Sequence, residues 1–188
     1  MNNLDDLHKQ YLLLIDRMKQ GVGAFTTQTY NSVNIKRGVQ YEASGFFTIP
    51  AETSVDLVYV SGNQPVILKG KEVFFTGEKI KFEVFSDPTY SGGTSLPVYN
   101  MTRINPVPSE AILIASPTVT ATGTKTQADR VFLGSASLGA NVTAAGASEG
   151  LEHVFAPNTA YLERITNMNG TSADVSVYLT WYEVELDY

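Results

Sequence analysis

The sequence predicts a mainly β protein, an antiparallel β-sandwich or barrel preceded by one N-terminal amphipathic α-helix. Three observations carry that expectation. After Gly21 the hydrophobic period changes from about 3.6 to about 2 and stays there. Turn residues then punctuate the chain at intervals of roughly ten residues, the spacing of sandwiches and barrels. No helical crossover separates the apolar runs, which argues against a parallel sheet.

Residues 3–20 carry the one convincing helical pattern. At about 100° per residue, Leu4, Leu7, Tyr11, Leu14, Ile15 and Met18 fall on one stripe. Asn2 or Asn3 can cap the free amides, Asp5 and Asp6 favour the positive end, Arg17 and Lys19 the negative end, and Gly21 stops the helix. Leu13 points away from the stripe, so the helix offers apolar side chains to two partners. The expected organisation is therefore a helix over residues 1–21, acting as an attachment or a lid, and one β-sandwich domain over 22–188.

Short β-rich runs follow: "AFTTQTYNSV", "YEASGFFTI", "VDLVYVS", "PVILKG", "EVFFTG" and "KIKFEVFS". Pro50-Ala51-Glu52, Gly62-Asn63, Gly70 and Gly77-Glu78 divide them. Residues 86–106 read as a loop that is unusually rich in apolar side chains. From 107 to 150 two short strands, "AILIAS" and "RVFLGS", are expected between long polar connections, with further strands over 151–156 and 159–167. In the closing "ADVSVYLTWYEVELDY", Val175, Val177, Leu179 and Trp181 share one parity and Tyr182, Val184, Leu186 and Tyr188 the other. Unbroken pleating cannot bury both sets, so either a bulge near Trp181-Tyr182 or a departure from the sheet is expected.

Composition excludes several classes. The chain has 188 residues, no cysteine and a formal net charge of −6. Thiol catalysis, disulfides and thiolate metal sites are removed together, and a charge-poor acidic surface does not suit a nucleic-acid backbone. No run is long enough to span a bilayer, and the N-terminus lacks the basic region of a signal peptide, so synthesis in a cytoplasm is expected. The Asn-x-Thr triplets at Asn100, Asn141 and Asn169 then carry little meaning.

Catalytic patterns are sparse, and neither a catalytic residue, a metal nor a cofactor is expected. Gly146-Ala147-Ser148-Glu149-Gly150 fits the spacing of a nucleophile elbow but lacks the preceding strand, the following helix and a later acid-then-His pair. His8 and His153 are too few for a histidine metal triad within one chain. Glu183, Glu185 and Asp187 alternate along one strand, which describes a solvated or intersubunit acidic face better than two carboxylates flanking a glycosidic bond. The aromatics of "KEVFF", "SGFFTI" and "LTWYEV" read as core. "GVGAF" and "SGGTS" lack the lysine and setting of a phosphate loop.

The stretch "FEVFSDPTYSGGTSLPVYNMTRINP", followed by "ASPTVTATGT" and the ending "FAPNTAYLERITNMNGTSADVSVYLTWYEVEL", resembles a signature of small β-rich virion proteins of tailed bacteriophages. In that pattern Tyr-x-Gly-Gly follows a strand, and Asn and Arg come about ten residues later; here Tyr90, Gly92, Gly93, Asn100 and Arg103 hold those positions. The resemblance covers about residues 40 to 186, and the helix over 3–20 departs from it. It implies a jelly-roll-like head decoration or cement protein, a homotrimer bound to the major capsid protein on the head surface, without nucleic-acid or membrane partners. The alternatives are a tail-associated or receptor-binding module for host glycans and a glycan-cleaving enzyme.

The residues themselves give the loop over 86–106 a use. Gly92-Gly93 permits a positive-φ turn, Pro88 and Pro97 stiffen the chain, and Arg103 can hold loop carbonyls or a carboxylate with its planar fork. Tyr90, Leu96, Val98, Tyr99 and Ile104 can cover a sheet edge or fill a seam between copies. The expected interface is Leu4, Leu7, Tyr11, Leu14 and Ile15 on the helix, with Tyr90, Leu96, Tyr99 and Arg103 on the loop.

Overall fold

The structure, a computed structural model, describes residues 30–134, 142–145 and 153–183. The helix expected over 3–20, with Leu4, Leu7, Tyr11, Leu14 and Ile15, lies outside those residues, as do His8, Glu185, Asp187 and the 146–150 motif. The chain divides into two compact units, Met1–Val33 and Asn34–Tyr188, and the second holds all the strands described below.

A short helix, α1 (Tyr30–Arg37), leads into the strands. It replaces the end of the strand expected over 24–33. The reason lies at its C-terminus: Gly38 takes φ 74°, its N–H donates to the Ile35 carbonyl (3.0 Å), and Val39 N–H donates to the Asn34 carbonyl (3.1 Å). That is a glycine-terminated helix end, with Lys36 and Arg37 in the last turn complementing the dipole.

Four long strands come first: β1 (Gln40–Ile49), β2 (Ser54–Val60), β3 (Val66–Phe75) and β4 (Lys79–Ser86). Short ones follow: β5 (Thr89–Ser91), β6 (Thr94–Leu96), β7 (Val98–Asn100), β8 (Ile112–Ala115), β9 (Thr118–Ala121), β10 (Thr124–Lys125), β11 (Arg130–Leu133), β12 (Val142–Ala145) and β13 (His153–Phe155). Two long strands, β14 (Ala160–Asn167) and β15 (Ala173–Glu183), close the order. One sheet runs β12-β3-β15-β1-β7, with β13 also on β3; the other runs β10-β4-β14-β2-β8-β6, with β11 also on β4; β5 and β9 pair separately. The protein is thus mainly β, built from antiparallel sheets with little helix. Successive long strands alternate sheets, β1 and β3 in one and β2 and β4 in the other, and β14 and β15 repeat the alternation.

Both sheets contribute to one apolar core. Trp181 is fully buried at its centre, stacked at 6.1 Å on Tyr41 of its own sheet and meeting Tyr59 of the other sheet edge-on at 5.6 Å. Large side chains such as Trp181, Phe75 and Phe82 each contribute about 2–3 kcal/mol by leaving water. Outside the core, Arg164 grips Asp56 with two hydrogen bonds of 2.8 Å across the β2–β14 pair.

The chain departs from its sequence pattern at three places. Gly70 does not end a strand. It lies inside β3 opposite Thr180, where a Cβ would come within 2.8 Å of Thr180 Oγ1. The bulge expected near Trp181-Tyr182 exists at Thr180/Trp181, but its extra residue is Lys69 on β3, while the β1–β15 register runs unbroken. Inward pointing therefore continues from Trp181 to Glu183, so Glu183 is buried rather than solvated. The stretch 86–106 is not a simple loop either. It contains β5, β6 and β7, which join three different sheets.

Candidate functional site

The segment from Thr89 to Ala111 is placed by pairing at its start and by two buried side chains further on. Strand β6 covers the edge of one sheet through β8, and β7 covers the edge of the other through β1. Gly93 (φ 94°) makes the turn between β5 and β6; a Cβ there would lie 2.5 Å from Ile114 Cγ2 and 2.9 Å from the Ala115 carbonyl oxygen. Pairing both sheet ends with short strands also removes long open edges.

Beyond β7 the chain runs without regular structure to β8, yet it is held at both ends. Asn100 is buried; its Nδ2 donates to the Gly38 carbonyl (2.7 Å) and the Val107 carbonyl (2.8 Å), and its Oδ1 accepts from Thr102 N–H (2.9 Å). At the other end Glu183 accepts three hydrogen bonds: from Ser109 Oγ (2.5 Å), Glu110 N–H (3.0 Å) and Trp181 Nε1 (3.0 Å). Glu110 in turn accepts from Asn63 N–H (2.8 Å). A segment anchored this way pays little extra ordering entropy on meeting a partner.

Large apolar side chains stand exposed on this segment beside the polar Arg103, Asn105 and Glu110. Ile104 is 82% exposed and Tyr99 and Val107 56% each; on β1, Phe46 is 69% exposed. Phe46 lies in β1 with the same parity as Glu42, and Tyr99 is the cross-strand partner of Glu42, so Phe46 and Tyr99 share the outer face of their sheet. Tyr178, paired with Ser44, is on that face too. Its hydroxyl donates to Glu42 Oε2 (2.6 Å), and burial, followed by that bond, pushes its pKa up to about 12. Arg103 uses its fork twice, donating Nη1 to the Asn100 carbonyl (2.6 Å) and reaching Glu42 Oε1 with Nη2 (3.4 Å).

Of the loop residues expected at an interface, Tyr99 and Arg103 thus come together at Glu42. Tyr90 is half-buried in the β5–β9 ribbon, and Leu96 packs partly against the core. Phe46 and Val107 escaped the sequence reading. For Phe46 the signal was present, because adjacent Phe46 and Phe47 cannot both face inward on one strand.

Glu183 has its carboxylate occupied by three donors, and among the described residues no group of three His, Asp or Glu side chains could hold a metal ion. The chain matches no protein-family model, and no curated protein is significantly similar to it in sequence.

Proposed function

We propose that this chain is a non-enzymatic structural protein of a tailed-bacteriophage particle, a head decoration protein that works by burying surface between its own copies and the major capsid protein. The observation that carries the reading is the set of exposed apolar side chains: Tyr99, Ile104 and Val107 on backbone that Asn100 and Glu183 hold in place, and Phe46 on strand β1, which is paired with β15. Large apolar side chains on an anchored segment are expensive to leave in water and useful in an interface.

A jelly-roll sandwich is the proposed architecture. Its support is the wiring, since β1, β15, β3 and the β12/β13 edge make four successive positions of one sheet, while β2, β14, β4 and the β10/β11 edge make four of the other. Such a domain leaves its loops and outer faces for assembly. The proposed oligomer is a homotrimer, and repetition over a lattice makes modest contacts cumulatively effective.

Light scattering and native mass spectrometry of the purified chain, with mass spectrometry of tailless heads, test this. A trimer that dissociates on Phe46→Ser/Ile104→Ser, together with high copy in tailless heads, is the expected result. A monomer unaffected by the substitutions, and absent from heads, would sink the proposal. Deleting residues 1–20 tests the part assigned to the helical stripe, with reduced head occupancy as the expected outcome.

A further inference from the structure

Strict alternation makes inward positions of facing sheets apolar, yet besides Glu183 four of those described are basic, acidic or imidazole. Lys71 is paired with Leu179, Glu163 with Leu57, Arg130 with Phe82 and His153 with Leu68, so each shares the face of an inward apolar neighbour. These four, with Tyr59 and Tyr161, line a cavity of about 60 Å³ between the sheets. Burying charge costs several kcal/mol per ion unless partners compensate, which makes such positions informative.

Some of the charge is matched. Lys71 of one sheet forms an ion pair with Glu163 of the other and lies 4.2 Å from the Phe82 ring centroid. Arg130 is different: its Nη2 reaches His153 Nε2 at 3.4 Å, and among the described residues it has no carboxylate partner. A guanidinium only donates, so in that contact the ring nitrogen is the acceptor, while Gln127 Nε2 stands 3.4 Å from the other ring nitrogen. Burial, then Arg130 and Lys71, hold the His153 pKa below its usual range, in agreement. Among the described residues the Tyr59 hydroxyl is also without a hydrogen-bond partner, although Tyr59 is only 6% exposed. Among the described residues, a cation without a carboxylate partner and a tyrosine whose buried hydroxyl has no hydrogen-bond partner thus line the same space.

We infer that this cavity binds a compact organic carboxylate, its oxygens accepting from the Arg130 fork and the Tyr59 hydroxyl and its carbon end resting on Leu57, Leu68 and Leu179. Size sets the class. At about 10–15 Å³ per water-sized site, the space suits a ligand of about four to six non-hydrogen atoms, too few for a sugar ring. A carboxylate supplies the missing negative charge and fits a planar fork with two parallel bonds. The inference does not depend on the protein belonging to a particle.

Amide chemical-shift titration with sodium propionate, set against neutral propionamide, tests it. Propionate should give saturable shifts at Tyr59, Arg130, His153 and Tyr161, with propionamide at least about tenfold weaker. Arg130→Gln should weaken propionate by about tenfold or more. Tyr59→Phe should also weaken it, while melting at or above the wild-type temperature because the hydroxyl removed has no partner; this variant carries the test if Arg130→Gln fails to fold. Absence of saturable shifts up to about 50 mM propionate would overturn the inference. So would equal binding of propionamide, or unchanged binding in Tyr59→Phe.

Discussion

Removing the Glu183 carboxylate should destabilise the fold far more than an ordinary acidic residue at the end of a strand would. In Glu183→Ala, Ser109 Oγ can turn to the Ala111 carbonyl, already 3.0 Å away, but Trp181 Nε1 and Glu110 N–H lose their acceptor. Two donors left without an acceptor in a buried setting cost about 1–3 kcal/mol each, and the lost side-chain packing adds to this, giving about 3–5 kcal/mol in total. Glu183→Gln keeps one oxygen and places an amide N–H₂ against a donor, so about 1–3 kcal/mol is expected. Against a total stability of about 5–15 kcal/mol the alanine variant is close to the limit of folding. Urea unfolding followed by fluorescence of Trp181, the single tryptophan, measures both, with an unchanged slope expected. A loss under about 1 kcal/mol in Glu183→Ala, or a larger loss in the glutamine variant than in the alanine one, would refute the reasoning.

Other outcomes follow from neighbouring geometry. Gly92→Ala should cost only about 1 kcal/mol, because its φ of 62° is strained for alanine but nothing lies within 4 Å of the new Cβ; Gly93→Ala should cost clearly more, since its Cβ meets Ile114 and the Ala115 carbonyl, and equal melting temperatures would contradict this. His153 has a folded pKa below its unfolded value, so the unfolded chain binds more protons. Stability is therefore full above about pH 6.5 and is lost as pH falls through the folded value; urea midpoints of His153→Gln should show a flatter acid limb. Tyr178 has the opposite sign. With its pKa raised from 10 to about 12, its contribution is complete below pH 10 and disappears as pH rises through 12, a loss that Tyr178→Phe should lack and that absorbance titration at alkaline pH should place with the late-ionising Tyr41 and Tyr59.

Period and turn residues alone determined most of the strands. β1, β2, β4, β14 and most of β15 fall where alternation put them, because a pleated, half-buried strand must alternate. The anomaly at Trp181-Tyr182 also showed from parity alone. Tertiary structure decided which strand absorbed it: Lys69 on β3 bulges, and Glu183 consequently points inward toward Ser109 and Glu110 rather than to water. It likewise turned "TYSGGTSLPVYN" into three short strands, since their partners β9, β8 and β1 are distant in sequence. The Lys36-Arg37-Gly38 helix ending carried a local signal that the strand expected over 24–33 passed over, whereas the inter-sheet meeting of Lys71, Arg130, His153 and Glu163 had none. Local pattern fixes which way a side chain points on its own strand; which other side chain it meets depends on the order of strands and the stacking of sheets, and no single segment carries that information.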